Sequence, residues 1–113
     1  MSAWSGKYFL SFDLSTQSLK AILANDQLQV VSEESVNFDT DLREFKTESG
    51  VHRHSDGVTI TSPTLMWVKA VDILLMKMAH NGVRFSNVGM ISGTAQQHGN
   101  FFCSRFLILV LIY

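Results

Sequence analysis

Side chains suited to phosphate binding lie close together near the start of the sequence, in the stretch FDLSTQSLKA at residues 12–21. Asp13 ends a predicted strand, and the hydroxyls of Ser15 and Thr16 follow within the turn. Backbone N–H groups of a tight turn converge on an anion, and hydroxyls add further donors. A carboxylate beside a phosphate requires Mg²⁺ between them. The turn is therefore a candidate phosphate and magnesium site, and the alternative is an ordinary polar turn, where Asp and Ser are common.

A second polar group, SGTAQQHG, occupies residues 92–99 after a predicted strand. The amides of Gln96 and Gln97 and the ring of His98 both donate and accept hydrogen bonds, which suits a ligand rich in hydroxyls. No acidic partner for His98 is identifiable nearby, so ligand contact suits this residue better than general-base catalysis. The alternative is a surface loop whose glutamines are solvated.

Three other groups are weaker candidates. The stretch His52-Arg53-His54 resembles a metal or phosphate cluster, but two loop histidines two positions apart are usually solvated, and we predict no metal site. Cys103 lacks the activating neighbours of a nucleophile, apart from Arg105. A larger set of apolar residues is interpreted as core rather than as a cofactor site: Trp67 and the methionines at 66, 76 and 78.

The elements that must position these residues follow from hydrophobic patterning. Residues 8–13, 19–24 and 28–38 predict three antiparallel strands, a β-meander with two tight turns. Residues 39–61 are polar and predict a long loop, which is either functional or poorly ordered. A short buried strand is expected at 88–91, followed by a loop at 92–100.

A helix is predicted after residue 62. Ser62 can cap its free N–H groups, and Pro63 suits the first helical position. Asn81-Gly82 predicts its end. Apolar residues at a spacing of 3.6 predict one buried stripe, formed by Trp67, Val71, Leu74, Leu75 and Met78.

Composition limits the class of protein. With 113 residues the chain has room for one domain. Nine basic and ten acidic residues, without a basic stripe, argue against nucleic-acid binding. A single cysteine and the lack of a signal peptide favour a cytoplasmic protein. The apolar residues 106–113 are too few to cross a membrane as a helix.

Taken together and in this order, the two polar groups resemble the opening of the FGGY family of carbohydrate kinases, most closely its xylulose kinase branch. The segments that carry the resemblance are YFLSFDLSTQSLKA, SPTLMWVKAVDILL and SGTAQQHG. Ser11 stands where the family commonly has glycine. The resemblance spans residues 7–100, so we expect residues 1–100 to be the N-terminal part of the family's first domain.

The patterning predicts an α/β chain in the order β-β-β-α-β, and the resemblance implies that it is a partial, truncated domain of the actin-like, ribonuclease H-like fold. It implies that Asp13, Ser15 and Thr16 lie near the phosphates of ATP and its Mg²⁺. It also implies that Gln97 and His98 contact the sugar hydroxyls, with Trp67 in or near the sugar-side wall. The reaction would transfer a phosphoryl group from ATP to a hydroxyl of a ketopentose, mostly by positioning and charge stabilisation.

The chain departs from the family after Gly99. The family's catalytic aspartate and its adenosine-binding glycine-rich loops lie in later parts, so no catalytic residue is assigned here. We expect no measurable kinase activity from this chain and only doubtful binding of ATP. Residues 101–113 are interpreted as an unrelated apolar tail, which together with an open strand edge favours self-association.

Several interpretations remain open from the sequence. The first is a truncated xylulose kinase that arises from an alternative transcript, a retained intron or an error in gene prediction. The second is a non-catalytic sugar- or phosphate-binding fragment, or a regulator of a full-length kinase. Another polyol kinase of the family, for ribulose or glycerol, would carry a similar Gln/His loop. A peripheral membrane protein held by the tail is disfavoured by the length of that tail.

Overall fold

The structure is a computed structural model that describes residues 7–95. This part of the chain is an α/β domain with one mixed sheet, one long helix and several short elements. Its elements, in chain order, are β1 Tyr8–Leu14, β2 Ser18–Ala24, β3 Val30–Asn37, α1 Phe38–Asp41, a 3₁₀ turn Arg43–Phe45, β4 His52–Arg53, β5 Ile60–Thr61, α2 Thr64–His80, a 3₁₀ turn Phe85–Asn87 and β6 Val88–Ala95.

The main sheet has the strand order β3-β2-β1-β6. Strands β1, β2 and β3 pair antiparallel, which confirms the predicted meander. Strand β6 pairs with β1 in parallel, and such a pair needs a crossover connection, which here contains α2. The carboxyl ends of β1 and β6 therefore lie side by side at one edge of the sheet.

The core lies between the sheet and α2. Strand β2 shows a period of two, with Leu19, Ala21 and Leu23 buried and Lys20 exposed, as expected for a strand with one covered face. Helix α2 buries a stripe at intervals of four residues, which is the spacing of one helix face. That stripe consists of Met66, Ala70, Leu74 and Met78.

The predicted buried stripe of α2 is correct for Leu74 and Met78, but its other members do not lie on the centre of the buried face. Trp67, Val71 and Leu75 are only partly buried and pack at the margin of the core. Met76, expected in the core, is 70% exposed. The centre of the buried face runs through Met66 and Ala70, and a small alanine gives a weaker signal in a sequence than its bulky neighbours.

The predicted N-terminus of α2 needs a correction. The helix begins at Thr64, Pro63 is its N-cap residue, and the helix lacks a side-chain cap. The hydroxyl of Ser62 donates to the carbonyl oxygen of Gly50 at 2.7 Å, so it holds a loop and not the helix end. The C-terminus is as predicted, since the helix ends at His80 and Gly82 has a positive φ of 92°.

The predicted long loop at residues 39–61 contains more structure than expected. It holds most of α1, a 3₁₀ turn and the two-residue strands β4 and β5, which pair antiparallel. Each of these elements is too short to produce a recognisable hydrophobic period. The segment is therefore an ordered connection whose backbone groups bond locally.

Strand β6 is longer and more exposed than predicted. It extends to Ala95, so the first four residues of SGTAQQHG belong to the strand and not to a loop. Met90 and Ile91 are 61% and 66% exposed, because α2 packs mainly on β2 and β3 and β6 is the edge strand within residues 7–95. Self-association through this edge stays a prediction. No helix in the described part of the chain has the length and apolarity to span a bilayer.

Candidate functional site

Asp13 and Thr94 meet at the edge of the sheet where β1 and β6 end. The two residues are register partners of the parallel pair, and the Thr94 hydroxyl donates to Asp13 Oδ1 at 3.0 Å. Both side chains are exposed. In open sheets with parallel strands, ligands bind outside the carboxyl ends of those strands. The pairing therefore brings the first predicted site residue beside the second polar group of the sequence.

The polar turn, residues 15–17, connects β1 and β2 at the same edge. The backbone N–H of Ser15 donates to the carbonyl oxygen of Ser18 at 2.9 Å and closes the turn. The Ser15 hydroxyl also lies 3.1 Å from that carbonyl oxygen and 3.1 Å from the Ser18 hydroxyl. Ser15 and Thr16 are exposed residues of this turn.

This donor set fits a magnesium phosphate. Mg²⁺ is commonly held by one or two carboxylates together with phosphate oxygens and several waters, and not by a closed protein cage. Asp13 supplies an exposed carboxylate bonded to the Thr94 hydroxyl, and the exposed residues Ser15 and Thr16 follow it in the adjoining turn. Within residues 7–95 no cluster of three or more His, Cys, Asp or Glu side chains could hold a metal ion by protein ligands alone.

A second loop packs underneath the polar turn. A Cβ placed on Gly50 would lie 1.8 Å from the carbonyl oxygen of Thr16, so the two backbones are in direct contact. The backbone N–H of Phe38 donates to the carbonyl oxygen of Gln17 at 3.0 Å. The backbone of the polar turn is therefore in contact with two other parts of the chain, at Gly50 and at Phe38.

The carboxylate of Asp39 organises that second loop. It accepts hydrogen bonds from the Thr47 hydroxyl at 2.7 Å and from the backbone N–H groups of Ser49 and Gly50 at 2.6 and 3.0 Å. The hydrogen bond from the Thr47 hydroxyl is the largest cause and lowers the pKa of Asp39; burial, the next largest, opposes it, and the N–H groups of Gly50 and Ser49 lower the pKa further. Asp39 is thus charged at neutral pH.

The histidine stretch has local partners. The ring Nε2 of His52 lies 2.7 Å from the carbonyl oxygen of Phe45, and that of His54 lies 2.8 Å from the Thr61 hydroxyl. The two rings therefore bond to different neighbours and do not converge on one point. His52 and Arg53 also line an open pocket of about 280 Å³, together with Lys46, Glu48 and Val51.

Of the three residues predicted to contact the sugar, one lies within the described part of the chain. Trp67 lies on α2, is partly buried and packs at the margin of the core, as described above. Its place in a sugar-side wall stays a prediction. Gln97 and His98 lie outside the described residues, so their predicted contact with sugar hydroxyls also stays a prediction.

Two residues of this site were not identified from the sequence. Thr94 belongs to the quoted SGTAQQHG group, but its contact with Asp13 depends on the parallel register of β1 and β6. Asp39 gives no local signal, because its partners follow 8 to 11 positions later in a loop. A carboxylate ahead of a Ser-Gly pair is a weak hint, since Ser-Gly often forms a turn with free N–H groups.

Comparison with known proteins gives a consistent result. No protein-family model matches the chain. The chain is 50% identical over 91 residues to a xylulose kinase of Rattus norvegicus, which covers 80% of this chain and 17% of that relative. It is 44% identical over 98 residues to xylulose kinase 2 of Arabidopsis thaliana, covering 86% of the chain and 18% of the relative. A xylulose kinase of Saccharomyces cerevisiae is 41% identical over 97 residues, covering 86% and 16%.

The chain spans about a sixth of the length of the curated relatives it matches. The matched part covers most of this chain, so it includes most of the described domain. These relatives confirm the relationship predicted from the two polar groups.

Proposed function

We propose that this chain, which belongs by sequence to the xylulose kinases, is the phosphate-binding segment of an ATP-dependent carbohydrate kinase. The observation that carries the proposal is the contact between Thr94 and Asp13 at the carboxyl edge of β1 and β6. This contact joins the two polar groups of the sequence into one exposed surface. The reaction of the parent protein would be the phosphorylation of D-xylulose to xylulose 5-phosphate.

The polar turn would hold the phosphates. The Ser15 and Thr16 hydroxyls would donate to phosphate oxygens, and Asp13 would bind Mg²⁺ directly or through water, oriented by the hydroxyl of Thr94. Mg²⁺, when bound, neutralises charge on the transferring phosphoryl group. The role of this chain's own residues would be to place the phosphates beside the sugar loop.

The sugar would be bound by the residues that follow β6. Gln97 and His98 follow Ala95, the last residue of β6, by two and three positions in the sequence. Their amide and imidazole groups match the hydroxyls of a ketopentose. Trp67 would flank the sugar. The mixed sheet with a parallel fourth strand supports a partial actin-like arrangement.

The chain by itself would supply binding groups for phosphate, Mg²⁺ and sugar but would not catalyse phosphoryl transfer. The residues given roles here contact phosphate, Mg²⁺ or sugar, and none of them is placed as the general base of the reaction. Loss of a general base typically lowers a rate by about 10²–10⁴. Xylulose-dependent formation of ADP by the purified chain is therefore expected to be absent.

Titration of the ¹⁵N-labelled chain with Mg·ATP tests the binding proposal. The amide signals of residues 13–17 and 94 should shift, while those of the distant β2–β3 turn at residues 25–29 should not. ATP with a chelator should give weaker shifts, because the carboxylate of Asp13 would then repel the phosphates. Unchanged signals at residues 13–17 with saturating Mg·ATP would contradict the proposal.

A further inference from the structure

The loop beneath the polar turn contains a turn with two left-handed residues. Glu48 and Val51 exchange both backbone hydrogen bonds, at 3.0 and 3.2 Å, so Ser49 and Gly50 form a two-residue hairpin turn. Their φ angles are 54° and 79°, as a type I′ turn requires. Such a conformation is unfavourable for serine and must be held by the surroundings.

The carboxylate of Asp39 is the group that holds this turn. Consecutive N–H groups in a turn form a concave site for an anion, and here one carboxylate fills it with both of its oxygens. The Thr47 hydroxyl adds a third donor, and Thr47 is itself buried. Ser62 fixes the other side of Gly50 by donating to its carbonyl oxygen.

Gly50 connects the restrained loop to the polar turn, because its backbone contacts that of Thr16. Its Cα lies against the backbone of Thr16 so closely that a methyl group there would overlap the carbonyl oxygen. Phe38, the neighbour of Asp39 in the chain, bonds the carbonyl oxygen of Gln17. Asp39 therefore bonds Gly50 on one side of the contact and adjoins Phe38 on the other, and the three hydrogen bonds that it accepts in the loop do not involve the polar turn.

We propose that Asp39 is a positioning residue that sets the conformation of the polar turn through Gly50, and so prepares the turn for phosphate. The identity of what the turn binds rests on the proposed function above, whereas the restraint on the turn does not. A turn already fixed in its binding conformation loses less entropy when a ligand binds. A carboxylate suits this role because the amide of an asparagine in its place would keep only one oxygen for three donors.

Hydrogen exchange of the full 113-residue chain tests the restraint, with the amide of Ser15 as the readout. This amide closes the polar turn and has no bond to Asp39. In Asp39→Asn, its exchange relative to the β1–β2 ladder should rise about tenfold or more, because local opening becomes easier. Asp56→Asn is the matched control. Asp56 also accepts three hydrogen bonds, from Val58 N–H and from the N–H and hydroxyl of Thr59, but in a different turn.

A glycine pair provides a second test that leaves Asp39 in place. Gly50→Ala and Gly57→Ala introduce the same Cβ at a similar positive φ, but only Gly50 faces the polar turn. Gly50→Ala should raise the exchange of Ser15 and Gly57→Ala should not. Equal exchange of Ser15 in Asp39→Asn and Asp56→Asn would overturn the proposal. Uniform loss of protection across β1, β2 and β3 would also count against it, since the proposed effect is local.

Titration with Mg·ATP then separates the two proposals. If the unmodified chain shows the expected shifts, Asp39→Asn should weaken them and Asp56→Asn should leave them unchanged. If the unmodified chain shows no shifts, the proposed function fails for the polar turn. The exchange of Ser15 in the variants still decides whether Asp39 positions that turn.

Discussion

The hydroxyl of Thr94 donates to the carboxylate of Asp13 at 3.0 Å, across a sequence separation of 81 residues. This bond joins the polar end of the first strand to the polar end of the last described strand. It also fixes the side chain that would carry the metal ion. An exposed carboxylate that is oriented by a hydroxyl remains able to bind a cation with its other oxygen.

Asp13 should be the residue on which magnesium-dependent binding depends most. Asp13→Asn removes the carboxylate that would bind Mg²⁺, so the shifts caused by Mg·ATP at the polar turn should be smaller than in the unmodified chain and should no longer depend on Mg²⁺. Asp26→Asn is the control, because Asp26 is an exposed carboxylate at the opposite end of β2. Thr94→Val should retain binding with reduced affinity. Similar binding by Asp13→Asn and Asp26→Asn would contradict the assignment.

Acidification should lower the folding stability of the chain through protonation of Asp39 and Asp56. Both have a lowered pKa in the folded protein, that of Asp56 to about 2, with the Thr59 side-chain hydrogen bond as the largest cause. A lowered folded pKa gives stability that is present above the unfolded value and is lost as the pH falls through the folded value. Stability should therefore decline as the pH falls from about 5 towards 2.

Urea unfolding at several pH values measures this effect. The difference in free energy of unfolding between the unmodified chain and Asp39→Asn should be largest near neutral pH and should shrink on acidification. At neutral pH the loss should be about 1–3 kcal/mol, the usual cost of leaving polar groups without their partners. A difference that stays constant across the acid range would mean that the charge of Asp39 is not what stabilises the loop.

The two glycines should differ in thermal stability. Gly57→Ala introduces only the cost of a left-handed conformation, about 1–2 kcal/mol, since its Cβ would meet no atom within 4 Å. Gly50→Ala adds an overlap with the backbone of Thr16, which forces the turn or the loop to move. The Tm of Gly50→Ala should therefore be clearly lower in a thermal scan. Equal Tm values would show that the loop at Gly50 can move away from the polar turn at Thr16 without loss of stability.

The corrected position of the helix stripe can be checked by truncating one residue on each face of α2. Leu74 is completely buried, so Leu74→Ala should destabilise the chain by about 2–5 kcal/mol through lost burial and a cavity. Met76 is 70% exposed, and Met76→Ala should change stability by less than about 0.5 kcal/mol. Chemical denaturation compares the two variants. A large loss from Met76→Ala would mean that another part of the protein covers this face.

The elements that could be predicted from the sequence are those whose apolar residues recur with a clear period. Alternation in β2 and the meander of β1 to β3 follow from residues that face one core, so the sequence carries them directly. The exposure of β6 could not be predicted, because an apolar strand has the same pattern at the centre and at the edge of a sheet. Ser62 was misassigned as a helix cap since its hydroxyl bonds a carbonyl twelve positions earlier.

The residues whose chemistry suits ligand binding could be predicted from the sequence, but the residues that position them could not. Asp13, Ser15 and Thr16 stand out because their types and spacing suit a phosphate. Asp39 does not, since its function depends on N–H groups that only a particular turn directs towards it. Residues that bind a ligand can thus be recognised by type, whereas residues that position them become visible only in three dimensions.

The parallel pairing of β1 with β6 has a consequence for how the chain acquires its structure. Neighbouring antiparallel strands form on the time scale of hairpins, whereas contacts between residues far apart in the chain form slowly. The meander of β1, β2 and β3 should therefore precede the docking of β6, and the bond from Thr94 to Asp13 should be among the last to form. Thr94→Val should then accelerate unfolding and leave the refolding rate unchanged, as the two arms of a chevron plot would reveal.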